Sequence, residues 1–162
     1  LVNGTHTGGG LYTVAALATL GGTGSIGSNI TVNATGILSP GASIESLDVT
    51  GDVQLDGLLK IELDGTAAGS SDLLNVTGTL HIANASVDFD ELVAADDAVY
   101  IFATYGTLDG EFALANIVDL PTDYVIDYSY QGNQIALVSV PEPASMALLA
   151  IGGLVMLKRR HA

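Results

Sequence analysis

The sequence predicts an all-β body, a short solenoid closed by a C-terminal β-hairpin cap, followed by a single C-terminal hydrophobic helix. Three observations carry that reading. Short β-branched and aliphatic runs are broken by Gly, Asn and Thr over residues 1–97. A unit of strand, Thr-Gly corner and strand recurs: Val49-Thr50-Gly51-Asp52-Val53-Gln54-Leu55 overlays Val76-Thr77-Gly78-Thr79-Leu80-His81-Ile82 and, more loosely, Val32-Asn33-Ala34-Thr35-Gly36-Ile37-Leu38. The starts lie 17 and 27 residues apart, close to the roughly 20 to 30 residues of single solenoid coils. Finally, composition changes abruptly at Pro141-Glu142-Pro143.

In chain order, residues 1–41 hold ten of the twenty glycines and little that reads as helix. Leu11-Tyr12-Thr13-Val14, Ile30-Thr31-Val32 and Ile37-Leu38 are short strands between Gly and Asn turns, and Ser39-Pro40-Gly41 is a turn by its chemistry. From Val53 to Leu63 apolar and polar residues alternate, a strand with one buried face interrupted at Gly57. Regular repeats fade after about Asn84. Ala98-Val99-Tyr100-Ile101-Phe102-Ala103 is continuously apolar, as a strand covered on both faces would be. Tyr124–Tyr130 and Gln134–Val138 flank Gln131-Gly132-Asn133, the best hairpin in the chain. With Gly106–Phe112 it would cap the open edge of a solenoid. The expected domains are therefore solenoid repeats over 1–97, a β-rich cap over 98–140 and a tail over 141–162.

Composition narrows the partners. Residues 1–140 carry 17 acids against Lys60 alone, while 141–162 carry Glu142 against Lys158, Arg159 and Arg160; the total is −14. So acidic a body is repelled by phosphate backbones, which excludes nucleic acid as a partner. Without cysteine there is no disulfide framework, thiolate metal site or cysteine nucleophile.

Catalytic patterns are missing. His6, His81 and His161 are scattered and lack paired zinc spacing, and no Gly-x-Ser-x-Gly elbow occurs. The glycine runs at Gly8 and Gly21 lack the Lys and following helix of a phosphate loop. Five Asn-x-Ser/Thr triplets, at Asn3, Asn29, Asn33, Asn75 and Asn84, read as corner chemistry. The sharpest acidic cluster is Asp88-Phe89-Asp90-Glu91. On a strand Asp88 and Asp90 face the same way, so Asp88, Asp90 and Glu91 are the candidate calcium ligands. The EF-hand order is absent, which favours a solvated acidic face and no cofactor.

The tail is more specific. Two prolines around one residue enforce an extended, protease-accessible segment. Residues 144–157 are fourteen without charge, and Lys158, Arg159 and Arg160 follow at once. Fourteen falls short of the roughly 20 residues that span a bilayer core, so a buried core helix is the competing reading. Terminal cations favour a single membrane span with the C-terminus inside, because they fix orientation and snorkel to lengthen the span.

Pro141-Glu142-Pro143, an apolar stretch and a basic end together resemble the PEP-CTERM sorting domain of Gram-negative bacteria that make extracellular polysaccharide. The resemblance covers about the last 22 residues. It implies an exosortase substrate, with Pro141, Glu142 and Pro143 as the recognition motif read by that membrane transpeptidase, inner-membrane anchoring before processing, and release to the cell surface or matrix. Export in turn places a signal peptide upstream of Leu1. More loosely, Thr19-Leu20-Gly21-Gly22-Thr23-Gly24 and Gly36-Ile37-Leu38-Ser39-Pro40-Gly41 resemble autotransporter-associated repeats, which implies a right-handed parallel β-helix. The expectation is a non-catalytic surface or matrix protein associated with exopolysaccharide; the alternative is a β-helical enzyme that degrades or modifies polysaccharide.

Overall fold

The computed structural model describes residues 1–66 and 70–141. The chain winds as a parallel β-solenoid with three faces. After β1 (Thr5–His6), the first coil comprises β2 (Tyr12–Val14), β3 (Thr19–Gly22) and β4 (Ser25–Ile26). The second comprises β5 (Ile30–Val32), β6 (Ile37–Pro40) and β7 (Ser46–Val49). The third runs through β8 (Val53–Leu55), β9 (Leu58–Asp64), the short antiparallel β10 (Ser70–Ser71) and β11 (Leu73–Val76). The fourth has β12 (Thr79–His81), β13 (Ser86–Val93) and β14 (Val99–Thr104). A partial fifth coil has β15 (Thr107–Asp109), a 3-10 turn (Leu114–Asn116) and β16 (Ile117–Val118). The hairpin β17 (Tyr124–Tyr130) and β18 (Gln134–Ser139) closes the body.

Strands stack coil on coil. The first face is β2-β5-β8-β12-β15, the second β3-β6-β9-β13-β16, and the third β1-β4-β7-β11-β14, extended by β18 and β17. This all-β architecture with parallel sheets fits a β-helix. On the first face Tyr12 pairs with Ile30, Ile30 with Val53, Val53 with Leu80 and Leu80 with Leu108. The intervals are thus 18 (30 − 12), 23 (53 − 30), 27 (80 − 53) and 28 (108 − 80) residues. The coils widen along the chain, and the filling changes to match. The narrow end is filled by aliphatics such as Ile26, Ile30 and Val32, whereas Phe89, Tyr100 and Phe102 occupy the wide end. Phe89 and Phe102 meet edge-to-face, 5.3 Å between centroids, a geometry that adds to area burial.

Corners are made by polar ladders. Asn29 Oδ1 accepts from Asp52 N at 2.9 Å, and Asp52 Oδ1 accepts from Thr79 N at 2.7 Å one coil on. Thr77 Oγ1 donates to Thr50 O at 2.8 Å. Asn29 and Asp52 each satisfy a corner N–H, and Thr77 satisfies a corner carbonyl. On the next corner Gly57 leaves room for the coil below: a Cβ there would lie 2.2 Å from Gly36 O.

Several expectations are corrected. Val49 does pair with Val76, but Val32 pairs with Leu55 on the first face, so the loosest overlay joined two different faces. The alternation from Val53 to Leu63 buries the expected side chains, yet it is two strands on two faces with Gly57 at the corner. Ser39 and Pro40 lie in β6; Pro40 ends the strand, where a missing N–H costs least, and only Gly41 turns, with φ +83°. Val99 and Ile101 are half-buried, so β14 has one core face rather than two, because nothing packs over its outer side as densely as the core packs beneath. Nor does the ladder stop at residue 97. β14, β15 and β16 pair in parallel with β11, β12 and β13, and the antiparallel cap is the hairpin alone. The expected C-terminal helix lies outside the described residues.

Candidate functional site

Tail attachment is set by the last strand. β18 is held between β14 and β17, antiparallel to both. Ser139 N donates to Ala98 O at 3.0 Å, and Val140 N donates to Asp123 O at 2.6 Å. Pro141 follows with no intervening residue and is exposed. The chain therefore passes from a hydrogen-bonded sheet straight to Pro141, whose ring nitrogen carries no N–H to continue the ladder. Glu142 and Pro143, and the basic end Lys158, Arg159 and Arg160, lie outside the described residues.

A second feature crosses the outer side of the third face. Ser25 pairs with Asp48, Asp48 with Asn75 and Asn75 with Thr104, so four polar side chains stand in register on successive coils. Asn75 Nδ2 donates to Asp48 Oδ1 at 2.8 Å, and Thr104 Oγ1 donates to Asn75 Oδ1 at 2.9 Å. With Thr50 and Thr77 they line an open groove of about 360 Å³. The groups repeat at the strand spacing of about 4.8 Å and present hydroxyl, amide and carboxylate atoms to solvent. Asp48 is the single carboxylate lining the groove, whereas glycoside hydrolysis uses a pair.

The acidic cluster is dispersed by its contacts. Asp90 Oδ2 lies 2.9 Å from Lys60 Nζ, and this hydrogen bond raises the Lys60 pKa. Glu91 Oε1 accepts from Ala95 N at 2.7 Å and closes the loop after β13. The carboxyl of Asp88 is raised by partial burial and then by the charge of Asp119. Among the described residues no group of three or more His, Cys, Asp or Glu side chains is placed to hold a metal ion. His81 Nδ1 lies 2.7 Å from Asp109 Oδ2 at the surface.

Asp72 was not anticipated. It is only 1% exposed, and it ties the second coil to the third: Oδ2 accepts from Glu62 N at 3.0 Å and Oδ1 from Glu45 N at 3.3 Å. Burial pushes its carboxyl up to about 7, against the opposing pull of those two N–H donors. One signal was within reach for the groove: extending the Val49/Val76 overlay back one residue places Asp48 opposite Asn75. No local pattern marks Asp72, because its burial depends on a corner loop 27 residues earlier.

The end of the chain is similar to a known sorting motif. The PEP-CTERM protein-sorting motif matches residues 139–160. The PEP-CTERM match implies exosortase processing and membrane association at the C-terminal end, and it supports an exported protein. It begins at Ser139, the last residue of β18, so the matched segment and the strand share one residue. No curated protein matches the chain.

Proposed function

We propose that the chain is an exported, non-catalytic surface or extracellular-matrix protein of a Gram-negative bacterium, sorted through Pro141, Glu142 and Pro143 and associated with exopolysaccharide. The observation that carries the reading is the PEP-CTERM motif joined to a completed, capped body. Among the described residues, the hairpin closes the sheet and Val140 N bonds to Asp123 O immediately before the motif. Its form is a right-handed parallel β-helix. The polysaccharide association is supported by the in-register groove, whose hydroxyl and amide groups suit a hydroxyl-rich polymer lying across the coils. The groove has one carboxylate, which suits binding rather than turnover. Cosedimentation of the full chain with the host's own polysaccharide, together with a reducing-end assay, tests this. Retention without new reducing ends is expected. Release of reducing ends would make the chain a polysaccharide-degrading enzyme instead, and no retention would remove polysaccharide as a partner.

A further inference from the structure

Five large apolar side chains are exposed in the cap region: Leu114, Val118, Leu120, Val125 and Val140. Leu114 is 90% exposed and Val125 49%. Three of them, Leu114, Leu120 and Val125, line a groove of about 270 Å³ whose wall also holds Phe112, Tyr128 and the carboxylate-bearing Glu111. Beneath this surface Phe112 and Tyr124 are buried in the core. Contiguous exposed apolar surface of this kind marks an interaction site.

Its position identifies the occupant. Val140 is bonded to Asp123, two residues before Val125, so the tail leaves the body at the margin of the groove. Pro141-Glu142-Pro143 can span about 10 Å when extended. The fourteen uncharged residues that follow therefore begin within about 10 Å of the body. A tail inserted in a bilayer brings this end of the solenoid, and no other, to the lipid surface.

We propose that the cap face is a membrane-contact surface: before processing, Leu114, Leu120 and Val125 rest on the outer surface of the bilayer, and the solenoid stands with its wide end down. The proposal rests on the sorting reading of the tail. Apolar side chains at the level of the head groups gain by leaving water. The surrounding acids Glu111, Asp119 and Asp123 restrict the contact to neutral lipid and to shallow depth, because anionic head groups repel them. A body held this way presents the motif at a fixed height and orientation.

The chain has no cysteine, so a single introduced thiol can be labelled without background. Full-length L114C, V125C and L11C, each carrying an environment-sensitive fluorophore, are reconstituted into phosphatidylcholine vesicles and challenged with brominated lipid. Leu11 is exposed at the opposite end of the solenoid and serves as reference. Quenching at 114 and 125 at least twofold above that at 11 is expected. Flotation with the vesicles but equal quenching at all three sites overturns the contact and leaves the tail reading intact. Shielding of 114 without quenching means that a second copy covers the face, which also overturns it. Failure to float with vesicles overturns the tail reading and the contact together.

Discussion

Asp72 makes the body less stable as pH rises through the neutral range. Its carboxyl is held at about 7 in the folded protein, against an ordinary 3.8. Below about pH 4 both folded and unfolded chains keep the proton, and the site carries no penalty. Between about pH 4 and pH 7 the unfolded chain releases it while the folded chain does not, so stability falls; above about pH 7 the loss is complete. At 1.36 kcal/mol per unit the full effect is about 4 kcal/mol, of which about 3 kcal/mol falls between pH 5 and pH 8. Asp72→Asn removes the titration. The amide keeps one acceptor for the N–H groups of Glu62 and Glu45 and leaves the other donor unmatched, at a pH-independent cost of about 1–3 kcal/mol. Urea unfolding of both proteins, followed by circular dichroism at pH 5 and pH 8, isolates the effect from the other acids. The stability difference is expected to move toward the Asn variant by about 3 kcal/mol, a midpoint shift of more than about 1 M urea. A difference that stays the same at the two pH values refutes the reasoning.

Gly78→Ala would place a Cβ 2.6 Å from Gly51 O on the coil before it, and forcing the coils apart is expected to cost about 1–3 kcal/mol; thermal melting checks this beside Gly9→Ala, where nothing lies within 4 Å. Phe102→Ala empties the wide coil and removes the edge-to-face partner of Phe89, for an expected loss of about 3–5 kcal/mol in chemical denaturation. Asn75→Ala interrupts the ladder between Asp48 and Thr104. It is expected to weaken polysaccharide retention about tenfold with a loss of at most about 1 kcal/mol in stability, measured by cosedimentation and melting on the same sample.

Local signals were legible where a short stretch of sequence decides the structure. The hairpin around Gln131-Gly132-Asn133 formed as read, with Gln131 and Gly132 at positive φ, and the alternation from Val53 to Leu63 pointed the right side chains inward. Long-range register was legible only where two coils have the same build, as for Val49 and Val76. It failed for Val32 because the coil there is 23 residues and its neighbour 27, so no single period aligns all the corners. The regular repeats faded after Asn84 for a related reason. Wider coils are filled by aromatics and carry longer strands, β13 of 8 residues against β6 of 4, yet they continue the same parallel ladder through β15 and β16. Of the candidate sites, the tail was legible because prolines, an apolar run and cations act through chain chemistry alone. Burial of Asp72 and exposure of the cap face depend on which distant segments pack nearby, and no local pattern carries that.

Intact mass and membrane fractionation of the native protein in its host, beside a variant with Pro141, Glu142 and Pro143 replaced by Ala, test sorting through the tail. Loss of the tail's mass in the wild type alone, with the variant retained in the membrane, is expected. Full mass and a soluble fraction for both proteins would contradict it.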